Sequence, residues 1–228
     1  MTPPDWRPPA VPDGLRVLHE DDALLVLDKP AGLLSVPGRG PANADCLSAR
    51  AQAHRPDALV VHRLDMATSG ILVMARGSEA QRRLSAAFAA RQVDKRYVAV
   101  VSGRPAPDGL PRDAWRDIKL PLIVDWPNRP RSKVDAEQGK PSHTRWRYAP
   151  EDAPNAANAR LELSPVTGRS HQLRVHLQSL GHPILGDELY APPQARAASD
   201  RLLLHAAELS LPHPVSGVVC HFVSPVPF

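Results

Sequence analysis

Residues 59–75 read Leu59-Val60-Val61-His62-Arg63-Leu64-Asp65-Met66-Ala67-Thr68-Ser69-Gly70-Ile71-Leu72-Val73-Met74-Ala75. Two apolar runs flank a polar centre, and runs of this length around Thr68-Ser69-Gly70 predict two buried strands joined through a turn. Asp65 stands at the junction. A carboxylate there loses part of its hydration, so it needs a partner or a chemical task. The ordinary alternative is an Asp that caps the turn on its own backbone. The stretch taken alone does not separate the two.

Working outward, residues 16–27 pattern as a hairpin with its turn at Glu20-Asp21-Asp22, followed by a tight Asp28-Lys29-Pro30-Ala31-Gly32 loop in which Pro fixes φ and Gly frees it. A helix is expected over 43–54 and strands over 59–62 and 70–75. Ser78-Glu79-Ala80-Gln81 has capping-box spacing and predicts a helix start, with Leu84, Ala87 and Phe88 as its apolar stripe. Residues 96–101 read as a strand containing Tyr97. Residues 103–138 are rich in Pro, Asp and Arg and predict a long insertion or flap with short strands. Strands are expected over 144–148 and 159–163. A helix over 170–180 carries Leu173, His176, Leu177 and Leu180 on one face and stops at Gly181. Residues 208–223 form a closing hairpin around His213-Pro214-Val215-Ser216-Gly217. Strands outnumber helices and several are hairpin-linked. The class is therefore α+β, a mixed and mostly antiparallel sheet flanked by helices. A Pro-rich arm over 1–14 precedes a single domain over 15–228.

The 228 residues suffice for one domain with a large core, and 43% hydrophobic content argues against general disorder. Aromatics are only 4%, so the core rests on Leu, Val, Ile and Ala. Cys46 and Cys220 are far apart and in no CxxC pair, which points to two reduced, buried thiols. There is no secretory pattern and no run long enough to cross a bilayer, so a cytoplasmic location without membrane association is expected. No Gly-rich strand–helix loop offers a nucleotide cofactor site. His171, His176 and His182 lack a standard metal-ligand spacing, so packing or capping roles are expected for them and no metal. The net charge of +4 is uneven. Six basic residues (Arg129, Arg131, Lys133, Lys140, Arg145, Arg147) stand against Asp135 and Glu137. Six more (Arg76, Arg82, Arg83, Arg91, Lys95, Arg96) stand against Glu79 and Asp94. Clusters of this kind favour a polyanionic partner such as nucleic acid.

Four residues can converge on one chemistry. Asp65 is a carboxylate at a strand–turn junction, Tyr97 lies early in a strand, Arg169 precedes a helix, and Arg63 neighbours Asp65. A guanidinium can hold a desolvated carboxylate ionised through two bonds, and Arg169 is the candidate. An ionised Asp beside an aromatic ring can act as nucleophile or base on a flat substrate.

These blocks resemble the RluA family of pseudouridine synthases. The resemblance rests on Asp28-Lys29-Pro30-Ala31-Gly32, on His62-Arg63-Leu64-Asp65 with Thr68-Ser69-Gly70, and on Lys95-Arg96-Tyr97. It continues through Gly168-Arg169-Ser170-His171-Gln172-Leu173-Arg174-Val175-His176, Gly181-His182-Pro183-Ile184-Leu185-Gly186-Asp187 and Leu203-Leu204-His205-Ala206. The blocks stand in the family's order from about Val17 to the C-terminus. The resemblance implies the pseudouridine synthase catalytic fold and isomerisation of uridine in RNA without a cofactor, with the target nucleotide flipped out of its stack. It implies Asp65 as the essential carboxylate, either attacking C1′ or deprotonating C2′. Tyr97 would stack on the target base, Arg169 would pair with Asp65, and Arg63 would fill the vacated space. His62, Leu203, Lys29, Arg129, Arg131 and Lys133 are carried over as substrate contacts.

Within the family, Leu120-Pro121-Leu122-Ile123-Val124-Asp125-Trp126-Pro127-Asn128-Arg129-Pro130 resembles the branch that acts on the tRNA anticodon stem-loop and on 23S rRNA. That branch lacks an N-terminal S4 domain, and none is expected here. A monomer is expected, because nothing suggests a large self-complementary apolar face. The competing readings are a non-catalytic RNA-binding module on the same fold and a hydrolase with an Asp nucleophile.

Overall fold

The computed structural model describes residues 14–106, 109–153 and 156–228. Most of the arm assigned to residues 1–14 lies outside the described residues. In chain order the elements are β1 (Val17–Glu20), β2 (Leu24–Lys29), α1 (Leu47–His54), β3 (Ala58–Val60), β4 (Ser69–Arg76), α2 (Ser78–Ala89), β5 (Asp94–Val101), β6 (Arg116–Ile118), β7 (Leu122–Val124) and β8 (Ser132–Val134). They continue with β9 (Thr144–Tyr148), β10 (Ala159–Pro165), α3 (Gln172–Ser179), α4 (Pro193–Arg196), β11 (Leu204–Pro212) and β12 (Val219–Val223). The chain forms two compact units. One comprises residues 14–95 with 205–227, and the other residues 96–204 with Phe228.

In the first unit β2 and β4 pair antiparallel in the register Leu25↔Met74 and Leu27↔Leu72, and β1 and β3 add to their edges. Both central strands are buried on both faces. That is why their sequences read as continuous apolar runs rather than alternating ones. Leu24, Val26, Ile71, Val73 and Ala75 pack with Ala80, Leu84 and Ala87 of α2. The β11–β12 hairpin is antiparallel, and β11 meets β4 in parallel at His205↔Ser69 and Ala206↔Gly70. Gly70 has φ +107, and a Cβ on it would lie 2.3 Å from the Ala206 carbonyl oxygen. Only glycine lets the two strands close there.

In the second unit β10 pairs antiparallel with β5 and β9, and β9 with β6. The insertion over 103–138 supplies β6 and the separate β7–β8 hairpin. A small core of Leu122, Val175 and Tyr190 fastens that hairpin to α3. The mixed, mostly antiparallel sheet with flanking helices agrees with the α+β expectation. No helix among the described residues is long and apolar enough to cross a membrane.

Several local expectations need correction. The helix expected from residue 43 starts at Leu47, because Cys46 is fully extended and caps it through Sγ to the Ala49 amide. The helix at Ser78 starts as expected but without the capping box. Gly77 is its N-cap, and Gln81 instead donates to the Val60 carbonyl at 3.0 Å. The helix expected from residue 170 starts at Gln172, since His171 adopts a left-handed conformation (φ 55) at the cap. Leu180, assigned to its apolar face, is 39% exposed. Cys46 is buried as expected, but Cys220 on β12 is only half-buried.

Candidate active site

The backbone around Asp65 is fixed from both sides by the 29–35 loop. The Ser35 hydroxyl donates to the Leu64 carbonyl (2.6 Å) and accepts the Leu64 amide (3.1 Å). The Met66 carbonyl accepts the Gly32 amide (2.9 Å) and the Lys29 ammonium (3.0 Å). The Asp65 carbonyl accepts the Thr68 amide and closes the turn. The Leu64 side chain is buried as an anchor, while Asp65 is half-buried and Arg63 exposed. The residues before and after the carboxylate are thus held by main-chain bonds, which limits how far the carboxylate can wander. Behind the turn, Ser69 Oγ lies 2.8 Å from His205 Nδ1, and His205 Nε2 lies 3.1 Å from Ser224 Oγ, a buried chain joining β4 to β11 and the C-terminal segment.

Two residues carried over as substrate contacts are bonded within the scaffold. Lys29 is 0% exposed, and its ammonium donates to the carbonyls of Pro30 (2.9 Å), Leu33 (2.7 Å) and Met66. An ammonium has three donors, so with these three carbonyls Lys29 clamps the Asp65 turn. The Nε2 of His62 accepts the Val73 amide (2.9 Å), and the ring stacks on Phe88. Burial and then the nearby Lys95 charge push the His62 pKa down to about 3 from its ordinary 6.5. The ring is neutral near pH 7, with its proton on Nδ1.

That shift has a consequence for stability. Between pH 6.5 and about 3 the unfolded chain binds a proton that the folded protein refuses, so this contribution is complete above pH 6.5 and is lost as pH falls. The urea midpoint is expected to fall over this window. His62→Gln, which keeps an acceptor for Val73 but does not titrate, is expected to flatten the fall. Parallel midpoint–pH curves for the two proteins would show that His62 does not carry the effect.

The second unit holds Tyr97, Arg169 and Leu203. Tyr97 lies in β5 opposite Leu163 of β10 and is half-buried. Leu203 is fixed by main-chain bonds to Leu185 and Val100. Arg169 is exposed and sits in a loop built by Gln172. The Gln172 Oε1 accepts the Arg169 amide (3.0 Å) and the Thr167 hydroxyl (2.7 Å), while its Nε2 donates to the His143 carbonyl and Thr144 Oγ1. Below this loop, Arg174 and Asp187 form a buried two-bond ion pair (2.7 and 2.8 Å). The Tyr190 hydroxyl meets both His171 Nδ1 and the Ser132 amide at 2.7 Å. His176 is likewise structural, with Nδ1 at Thr144 Oγ1 and Nε2 at the Leu120 carbonyl, and burial lowers its pKa. Ser35, Gln172 and Tyr190 were not singled out in the sequence. Gln172 lay inside a quoted motif, but Ser35 gave no signal.

The two basic clusters differ. In the 76–96 cluster Arg82 and Arg83 bind Glu79, and Arg76 binds Asp57 and the Asp21 carbonyl. These three guanidiniums each have an acidic partner within the protein, and Arg82 and Arg83 stay exposed. In the 129–147 cluster Arg129 and Lys133 are exposed on the β7–β8 hairpin and Arg131 is half-buried over the Tyr190 ring. Arg145 and Arg147 gather around Trp115, and Arg147 also binds Glu162.

The first unit thus carries a half-buried carboxylate on a turn pinned through its backbone, and the second carries a strand tyrosine, an exposed arginine in the loop before α3 and a basic hairpin. The sequence profile described as RNA pseudouridylate synthase matches residues 23–179, and the chain belongs to that family of isomerases. It is 49% identical over 225 residues to the Dual-specificity RNA pseudouridine synthase RluA of Escherichia coli (strain K12), covering 98% of each chain. It is also 49% identical over 207 residues to the protein of the same name from Yersinia pestis, covering 90% of this chain and 96% of that one. Among solved structures, Human RNA Pseudouridylate Synthase Domain Containing 1 aligns with a TM-score of 0.74 at 26% identity, over 95% of this chain and 85% of that one.

Proposed function

We propose that this chain converts uridine to pseudouridine in the tRNA anticodon stem-loop and in 23S rRNA, as a cytoplasmic monomer that needs no cofactor. The observation that carries the reading is the Asp65 turn, whose flanking peptides are pinned by Ser35, Gly32 and Lys29. A binding module has no use for a half-buried carboxylate on a turn whose backbone is pinned on both sides. The dual-specificity name of the full-length relatives supports the two substrates.

In the reaction the N1–C1′ bond breaks, the uracil turns, and a C5–C1′ bond forms. The C5 proton leaves and N1 regains one. Asp65 is the carboxylate that acts at the ribose. Tyr97 stacks on the base and assists removal of the C5 proton, Arg169 supplies positive charge to the reaction, and exposed Arg63 replaces the flipped nucleotide. Flipping is required because the glycosidic bond is shielded within stacked RNA. Tritium release from RNA labelled at uracil C5 tests this, with tRNA and a 23S fragment assayed separately. Release from both supports the dual range. No release from either, despite tight binding, would leave the non-catalytic module as the better reading.

The basic hairpin is assigned to backbone phosphates. Replacing Arg129, Arg131 and Lys133 together by Gln is expected to weaken RNA binding and to flatten the slope of log K against log salt by roughly two. An unchanged slope would move the phosphate contacts elsewhere.

A further inference from the structure

Trp126 stands at the tip of the β7–β8 hairpin and is 65% exposed, the one aromatic among the large apolar side chains exposed in the described residues. It has no core to fill. Leaving an indole in water forgoes a large burial gain, so its place on a surface calls for a partner.

The tip is built to present it. The Asp125 amide bonds the Arg131 carbonyl, the Asn128 amide the Asp125 carbonyl, and the Arg131 amide the Asn128 carbonyl, all at 2.9–3.0 Å. The Asn128 side chain also donates to the Asp125 carboxylate at 2.9 Å. At its base the hairpin is tied by the buried bond from the Ser132 amide to the Tyr190 hydroxyl. The Arg129 guanidinium lies 4.2 Å from the centre of the Trp126 ring, and its Nε donates to the Trp126 carbonyl. One side of the indole is therefore backed by a cation. A flat, electron-rich ring backed by a guanidinium, on a hairpin that also carries Arg131 over Tyr190 and Lys133 beside Asp135, matches a base with its phosphates.

We infer that Trp126 is a stacking platform for an unpaired RNA base other than the uridine being isomerised, with Arg129 locking the ring and the hairpin cations holding the adjoining phosphates. This rests on the reading that RNA is the substrate, and it adds a preference for looped over fully paired RNA. A π-face accepts any base, so the platform contributes affinity and register rather than sequence choice.

Stacking and charge separate experimentally, because stacking releases no counterions. The test uses the Asp65→Asn protein, in which binding is read without turnover, and titrates a stem-loop RNA and a blunt duplex of equal length across a salt series. Trp126→Ala is expected to weaken stem-loop binding about tenfold at every salt concentration with the slope unchanged, and to leave duplex binding as it was. Trp126→Phe, with a smaller ring, is expected to fall between. Equal loss on both RNAs, or no loss on the stem-loop, overturns the inference. A change in sedimentation without a change in RNA affinity would also overturn it and mark the indole as a protein contact. Failure of the parent protein to release tritium from any RNA would defeat the enzymatic reading itself, a result separate from any effect at Trp126.

Discussion

Asp65→Asn is expected to abolish tritium release from C5-labelled RNA, by on the order of 10⁴-fold or more, while RNA affinity and the urea midpoint stay near those of the parent. The replacement keeps size and shape but removes the charge and the nucleophilic oxygen. Whether the carboxylate attacks C1′ or takes a proton from C2′, an amide can do neither at a useful rate. The fold should tolerate the change because the turn is held by main-chain groups and not through the carboxylate alone. The Asp65 carbonyl accepts Thr68, and the peptides on either side are bound by Ser35, Gly32 and Lys29. Retained turnover would take Asp65 out of the mechanism. Lost turnover together with lost RNA binding or lost stability would make Asp65 a structural residue.

The elements most legible in the sequence were those set by pattern. The apolar run of β4 announced a buried strand, whereas the run of β3, read in the same way, pairs only at the β4 edge and leaves Leu59 and Val60 half-buried; the strand expected over 144–148 has its ends at Thr144 and Tyr148. Gly70 was visible as a turn residue. Its actual necessity, the close approach of Ala206, depends on a strand more than a hundred residues away and could not be read locally. The same distance problem hid Ser35, whose hydroxyl reaches Leu64 across 29 positions. Charge pointed to a polyanionic partner but not to the fate of each basic residue. Clusters such as Arg76, Arg82 and Arg83 look available in sequence, but whether a guanidinium meets Glu79, Asp57 or a substrate is decided by rotamers and neighbours. The capping box at Ser78 failed because the helix begins one residue earlier in register, with Gly77 as its N-cap, while the Gln81 amide donates to the Val60 carbonyl.

Lys29, carried over as a substrate contact, is buried and bound to three carbonyls, and its replacement separates a positioning role from a phosphate contact. Lys29→Met keeps the length and the apolar stem but deletes the ammonium. The Pro30 and Leu33 carbonyls then lose their Lys29 bonds, and Met66 retains only the Gly32 amide. Relief of the ammonium's own desolvation offsets part of the loss. Hydrogen bonds to a charged donor each contribute about 1.5–3 kcal/mol, so a net destabilisation of about 3 kcal/mol is expected, read as a lower urea midpoint. Catalysis should suffer through position. With Met66 less firmly held, the carboxylate one residue before it samples unproductive orientations, and kcat is expected to fall roughly 10- to 100-fold at nearly constant KM. Ser35→Ala, which loosens Leu64 on the other side of Asp65, should lower kcat in the same sense. A phosphate ligand would behave in the opposite way. Its loss would raise KM and reduce the salt slope by about one, with stability unchanged. That outcome for Lys29→Met would return Lys29 to the RNA-binding surface.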